Sequence, residues 1–153
     1  MAETKRSARR VETSGEAAVD GLLAGVGAGL LMAAYLLVVG LASGESVAAI
    51  LGRFDPSANA AAPVGIMAHL AVSGVYGAIF GLGRRLALAW KPFQAVPGWV
   101  TGLGYGMALW FLAKSGLLLG GASPLRQISA VHFMLAHLIY GGALGVLSHR
   151  RRE

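Results

Sequence analysis

The chain has 153 residues, of which 56% are hydrophobic and only 13% are charged, and it contains no cysteine. Because a soluble domain carries about 25% charged residues, this composition indicates a membrane protein, and the lack of cysteine excludes disulfides, thiolate metal sites and cysteine nucleophiles. The net charge is +6, but the charges cluster between long apolar runs, which is typical of membrane topology rather than of nucleic-acid binding.

Four segments are predicted to cross a membrane. They follow a polar tail of residues 1–20, and each has about 20 mostly apolar residues, the length that a spanning helix needs. Because backbone groups in lipid must bond to each other, each segment is predicted to be helical. The sequence therefore predicts an all-α membrane protein, a four-helix bundle that ends in a basic tail of residues 149–153. The four spans cover about residues 21–42, 63–83, 98–119 and 128–147.

The distribution of lysine and arginine predicts the orientation of these spans. Short loops with an excess of basic residues stay in the cytoplasm. Only Arg53 and Arg126 lie on the opposite side, which places both termini in the cytoplasm of a plasma (inner) membrane. The basic residues on the predicted cytoplasmic side are Lys5, Arg6, Arg9, Arg10, Arg84, Arg85, Lys91, Arg150, Arg151 and Arg152.

The first outer loop is predicted to contain a short amphipathic helix. In "ESVAAILGRFDP", apolar residues recur at positions i, i+3, i+4 and i+7 from Val47 to Phe54, and Pro56 ends the pattern. Such a helix lies at a membrane surface. It is interpreted either as a cap over the bundle or as a substrate lid.

Glycine spacing predicts an internal duplication. "GLLAGVGAG" at 21–29 matches "GWVTGLGYG" at 98–106, and "VYGAIFG" at 75–81 matches "IYGGALG" at 139–145. Each copy starts on the cytoplasmic side, so the chain is predicted to be two tandem, parallel helical hairpins. Small residues four positions apart allow close helix packing in lipid. The glycines predicted to pack helices are Gly21, Gly25, Gly29, Gly77, Gly81, Gly98, Gly102, Gly106, Gly141 and Gly145.

Several polar side chains lie within the predicted spans, although none of these spans contains Asp or Glu, which disfavours carboxylate-driven transport. His69 and His132 share one depth with Lys114, and His137 lies beside Tyr140. The histidines are candidate haem ligands, but they more simply bond a neighbouring helix while Lys114 snorkels to the surface. No catalytic or metal site is predicted. The predicted transport cluster is His69, Ser73, Tyr76, Lys114 and Tyr140.

The stretch "AGVGAGLLMAAYLLVVG" and the "YG…G" spans resemble small four-span bacterial inner-membrane proteins described as domains of unknown function. The resemblance covers roughly residues 20–150, implies a location in that membrane and carries no functional residue. The sequence favours a structural or accessory membrane protein, not an enzyme, that acts through helix contacts. Its expected partners are the lipid bilayer and either another membrane protein or a second copy, without nucleic acid or cofactor. The alternatives are a small-solute or ion transporter or channel, and a histidine-ligated haem redox subunit.

Overall fold

A computed structural model describes residues 13–57, 59–119 and 124–150, and within these ranges the chain is helical without strands. The all-α prediction is therefore confirmed. Residues 1–12 of the polar N-terminal tail and residues 151–153 of the basic C-terminal tail lie outside the described residues. The elements are α1 (Ser14–Ala42), α2 (Val47–Gly52), α3 (Ala62–Ala87), α4 (Lys91–Gln94), α5 (Gly98–Leu119), a 3₁₀ turn (Pro124–Gln127) and α6 (Ala130–Arg150).

Three helices of the described part, α1, α3 and α6, are long and apolar enough to cross a membrane. The helix α5 is 22 residues long but is not among them. The composition and these three helices together indicate a membrane protein.

Helix α1 begins seven residues before the predicted span because a capping box stabilises an earlier start. The backbone N–H of Thr13 donates to Glu16 Oε2 at 2.8 Å, and the Glu16 N–H donates back to Thr13 Oγ1 at 3.2 Å. Each bond satisfies a backbone donor that the first helical turn leaves open. The polar first turn therefore continues into the apolar helix without a break.

The helices form two antiparallel pairs that pack side by side. Helix α1 packs along α3, α5 packs along α6, and α1 also contacts α6. The short helix α2 packs on α1 and α3 at the end of the bundle where α1 ends and α6 begins, here named the α2 end. Its Ile50 is 3% exposed and lies against Gly40, where an added Cβ would be 2.6 Å from Ile50 Cδ1.

The pair α1–α3 meets backbone to backbone at Gly21, Gly25, Gly77 and Gly81, here named the first glycine seam. A Cβ atom added to Gly77 would lie 2.6 Å from the Cα of Gly25 and would also contact the carbonyl of Gly21. Carbon atoms normally approach to about 3.5–4.0 Å. No side chain fits at this seam, and the two helices can touch only because glycine occupies it.

The pair α5–α6 has an equivalent contact at Gly102, Gly106, Gly141 and Gly145, the second glycine seam. A Cβ added to Gly141 would lie 2.8 Å from the Cα of Gly106. The two remaining predicted packing glycines flank the seams: Gly29 faces Ser73 on α3, and Gly98 faces Gly145 on α6.

The two glycine seams make equivalent contacts, but the residues that correspond in space are offset by one helical turn from those that correspond in the sequence match. Gly21 contacts Gly77 and Gly81, whereas Gly102 contacts Gly141 and Gly145. Gly102 thus takes the place of Gly21, 81 residues away rather than 77.

Candidate functional site

The predicted transport cluster is spread over several contacts rather than gathered at one point. On α3, His69 Nε2–H donates to the Gly29 carbonyl on α1 at 3.0 Å. The Phe54 ring packs on the imidazole with a centroid distance of 4.5 Å. The absence of a side chain at Gly29 leaves its carbonyl accessible to the histidine. His69 therefore links two helices of one pair.

The two pairs are joined by tyrosine hydroxyls that donate to backbone carbonyls. Tyr140 on α6, 2% exposed, donates to the Ser73 carbonyl of α3 at 2.7 Å. Tyr105 on α5 donates to the Tyr76 carbonyl at 2.8 Å, and its ring lies 5.2 Å from that of Phe80. In these contacts Ser73 and Tyr76 contribute their backbones, and Tyr140 and Tyr105 contribute the polar side chains.

The other two membrane-depth histidines also have protein partners. His132 Nδ1 and the Tyr35 hydroxyl share a hydrogen bond of 2.7 Å between α6 and α1. His137 Nδ1–H donates to the Phe133 carbonyl one turn earlier at 2.8 Å. Within the described ranges, no group of three or more His, Asp or Glu side chains is placed to hold a metal ion. The three candidate haem ligands thus each serve a different local contact.

Lys114 lies apart from the rest of the predicted cluster. Its side chain is exposed, and its ammonium is 5.2 Å from the centroid of the Trp110 ring on the same helix. Lysine that lies over an indole face gains a cation–π attraction.

A polar cavity of about 280 Å³ lies at the α2 end, between the end of α1, α2 and the start of α6. Its size is near the lower limit of small-molecule sites, about 300 Å³. The His132–Tyr35 hydrogen bond lies beside it, because His132 lines the cavity. Its lining residues are Leu36, Val39, Gly40, Ser43, Glu45, Ile50, Arg53, Phe54, Gln127, Ile128, Ser129 and His132.

Arg53 is the central charge of this polar cavity. Its guanidinium pairs with the Glu45 carboxylate through both terminal nitrogens, the NH1 contact being 3.2 Å, and its Nε donates to Gln127 Oε1 at 3.2 Å. The two charged side chains are 15% and 28% exposed. A two-pronged contact of this kind is geometrically specific. The separate Nε bond to Gln127 connects the end of α2 to the segment just before α6.

Sequence reasoning missed this cavity because its polar residues come from separate loops. Arg53 counts in the sequence only as a charge outside the predicted spans, and Gln127 lies 74 residues further along the chain. No periodic pattern joins them. The short spacing from Glu45 to Arg53 across a predicted helix was the one local signal available.

Asp55 fixes the connection from α2 to α3 and so helps to position the cavity wall. Its buried carboxylate accepts the backbone N–H groups of Ser57 and Ala61, each at 2.8 Å. These bonds, with the Ser57 backbone as the largest contributor, lower the pKa of Asp55 from its ordinary value. The carboxylate is therefore charged and held at neutral pH.

These arrangements position the helices relative to one another. Tyr105 and Tyr140 donate to backbone carbonyls, and Tyr35 shares a bond with His132. In the polar cavity the charges of Arg53 and Glu45 neutralise one another. Comparison of the chain with protein-family models, with curated proteins and with solved structures found no match.

Proposed function

We propose that this protein is an integral membrane protein of structural or accessory type, which acts through the contacts that its helices make. In this proposal four helices, α1, α3, α5 and α6, cross the membrane as two tandem hairpins with both termini in the cytoplasm. The observation that carries the proposal is the set of contacts that joins the helices: glycine seams within each pair, and tyrosine bonds between the pairs.

The proposal that α5 is the fourth span is supported by its length and by its pairing. At 1.5 Å per residue its 22 residues extend about 33 Å, close to the thickness of a hydrocarbon core. Its backbone meets α6 at both Gly102 and Gly106. A helix whose backbone contacts a membrane-crossing helix at two successive turns lies in the same lipid environment as that helix.

The matched glycine contacts support the tandem repeat. Both pairs are antiparallel hairpins, and each buries two glycines of one helix against two of the other at the same four-residue spacing. Two similar units in tandem, both entering from the same side, would have a symmetry axis along the membrane normal.

The packing of the described residues favours an accessory role over transport. The polar cavity and a second cavity beside α5 both lie at the α2 end, and neither is lined by His69, Ser73 or Tyr76. Leu144, in the core between the helices, is fully buried. A carrier needs a polar site near the middle of the membrane, whereas an accessory protein needs a stable helical surface.

The proposed topology is tested by cysteine labelling, for which the cysteine-free chain is well suited. We expect an impermeant maleimide to label Asn59→Cys, at the α2 end, in intact cells. Ala95→Cys, between α3 and α5, should react only after permeabilisation. Gln127→Cys, which follows α5, should again react in intact cells. Protection of Gln127→Cys in intact cells, or labelling of Ala95→Cys there, would contradict the four-span arrangement.

The accessory role is tested by site-specific photo-crosslinking in native membranes. A photoreactive phenylalanine is placed at one lipid-facing position per helix: Leu31, Ile79, Phe111 and Leu135, all exposed. We expect one face to give a discrete adduct, with a second copy or with another membrane protein, while the other faces react with lipid. Lipid adducts alone at all four positions would overturn the proposal.

A second candidate function, small-solute binding as part of transport, is favoured by one observation, the polar cavity with Arg53 at its centre. Ligands with a carboxylate could compete with Glu45 for this guanidinium. Thermal-shift measurements with small carboxylates test it, with Arg53→Gln as the variant that should lose any shift. Equal melting temperatures with and without these solutes would remove the support.

A further inference from the structure

The second cavity, of about 200 Å³, lies at the α2 end between α5 and the segment that leads into α6. It differs from the polar cavity in charge, because two cationic residues and no acidic residue line it. We name it the cationic cleft. Its lining residues are Trp110, Lys114, Leu125, Arg126, Ile128, Ala130 and Phe133.

The charges of the cationic cleft suit an anion. Lys114 is exposed, and its ammonium is held 5.2 Å from the Trp110 ring centroid rather than against a carboxylate. Arg126 lines the same cleft. Two cationic groups that line one cleft attract an anionic group into it.

Trp110 adds an aromatic surface to the cleft, because the residue lines its wall and the ring lies beside the Lys114 ammonium. Its indole Nε1 is buried beneath the surface and has no hydrogen-bond partner among the described residues. A ligand in the cleft therefore meets the ring, which suits the apolar part of an amphiphilic anion.

The position and the remaining lining of the cleft favour a lipid. Lys114 lies five residues before the end of α5, about 8 Å along the helix axis, from where its long side chain reaches the headgroups at that end of a spanning helix. Leu125, Ile128 and Phe133 make the rest of the wall apolar. A small soluble anion has no apolar surface to bury against such a wall, whereas a glycerol backbone and the first methylene groups of its acyl chains do have one.

We propose that the cationic cleft binds the phosphate of an anionic glycerophospholipid in the leaflet at the α2 end. Lys114 and Arg126 attract the phosphate, and the apolar wall, together with the Trp110 ring, holds the start of the acyl chains. The inference rests on the proposed membrane placement of α5 but not on the accessory role.

Native mass spectrometry tests whether the two cationic side chains hold the lipid. The full-length protein is released from nanodiscs of mixed phosphatidylglycerol and phosphatidylcholine. The wild type should retain one phosphatidylglycerol per chain in preference to phosphatidylcholine. Lys114→Gln and Arg126→Gln should each weaken this retention about fivefold. Lys91→Gln, which removes an exposed charge outside the cleft, is the matched control and should retain the lipid as the wild type does.

A reduction as large in Lys91→Gln as in Lys114→Gln would overturn the proposal, because it would show a response to total charge. Inorganic phosphate separates the two sources of the same chemistry. We expect it to leave the retained lipid in place, and displacement of the lipid by free phosphate would show a site for a soluble anion instead.

Quenching of Trp110 fluorescence tests the same site without a substitution in the cleft. Trp90→Phe and Trp99→Phe together leave Trp110 as the one remaining indole. Brominated phosphatidylglycerol should quench its emission at a lower mole fraction than brominated phosphatidylcholine. Equal quenching by the two lipids would refute a selective site, while cysteine labelling of Ala95→Cys and Gln127→Cys, which lie before and after α5, reports separately on the membrane placement of α5.

Discussion

Replacement of Gly77 by alanine adds one methyl group to the first glycine seam, and we expect it to destabilise the bundle. The new Cβ would lie 2.6 Å from the Cα of Gly25 and would contact the carbonyl of Gly21. Because carbon atoms pack at about 3.5–4.0 Å, α1 and α3 would have to separate by about 1 Å. Overpacking of this kind costs about 1–3 kcal/mol.

Gly83 on the same helix provides the matched control, because an added Cβ there has nothing within 4 Å. Alanine also raises helix propensity by up to about 1 kcal/mol, but this gain is common to both variants and cancels in the comparison. We therefore expect Gly77→Ala to be less stable than Gly83→Ala by about 2 kcal/mol. The comparison isolates the steric cost at the seam.

The assay is unfolding by dodecyl sulfate in mixed micelles, followed by tryptophan fluorescence, with far-UV circular dichroism to confirm that the helices persist. Gly102→Ala against Gly104→Ala repeats the test at the second glycine seam, since an added Cβ at Gly104 also meets nothing within 4 Å. Equal midpoints within each pair of variants would refute the conclusion that glycine is required for these contacts.

Three further predictions concern the polar contacts. Tyr140→Phe should lower the free energy of unfolding by about 1 kcal/mol in the same assay, because it removes the hydroxyl that donates to Ser73. Arg53→Gln should speed hydrogen exchange in α2, measured by mass spectrometry, while Lys91→Gln leaves it unchanged. Since backbone donors lower the pKa of Asp55, the α2–α3 connection should keep its exchange protection at neutral pH and lose it only as the pH falls below the usual carboxyl range.

The helices could be predicted from the sequence because lipid-length apolar runs and their boundaries are local features. The predicted spans that start near Pro63 and Gly98 agree closely with Ala62–Ala87 and Gly98–Leu119. Helix α1 begins seven residues before the predicted span, since its first turn is polar and depends on the Thr13 capping box rather than on hydropathy.

The register of the glycine seams could not be obtained in the same way. Glycines recur every four residues in α1 and in α5, and a slide of one helical turn maps such a pattern onto itself. The best sequence match therefore pairs Gly21 with Gly98, whereas the contacts of Gly21 correspond to those of Gly102. The partner helix decides between the two registers.

The two cavities were not predictable because their residues meet only through the packing of loops. Lys114 was expected beside His69, but the depth of a residue in a span does not determine which side of the bundle it faces. Its actual neighbours, Trp110 and Arg126, come from its own helix and from the following turn.

Glycine seams within each hairpin have a consequence for biosynthesis. The first hairpin completes its backbone contacts using only its own residues, so it can assemble in the membrane while the second is still being translated. The later hairpin then needs to supply hydroxyl groups to carbonyls that are already in position, as Tyr140 does for Ser73. A ribosome-stalled chain that ends after α4 should therefore already hold α1 and α3 side by side.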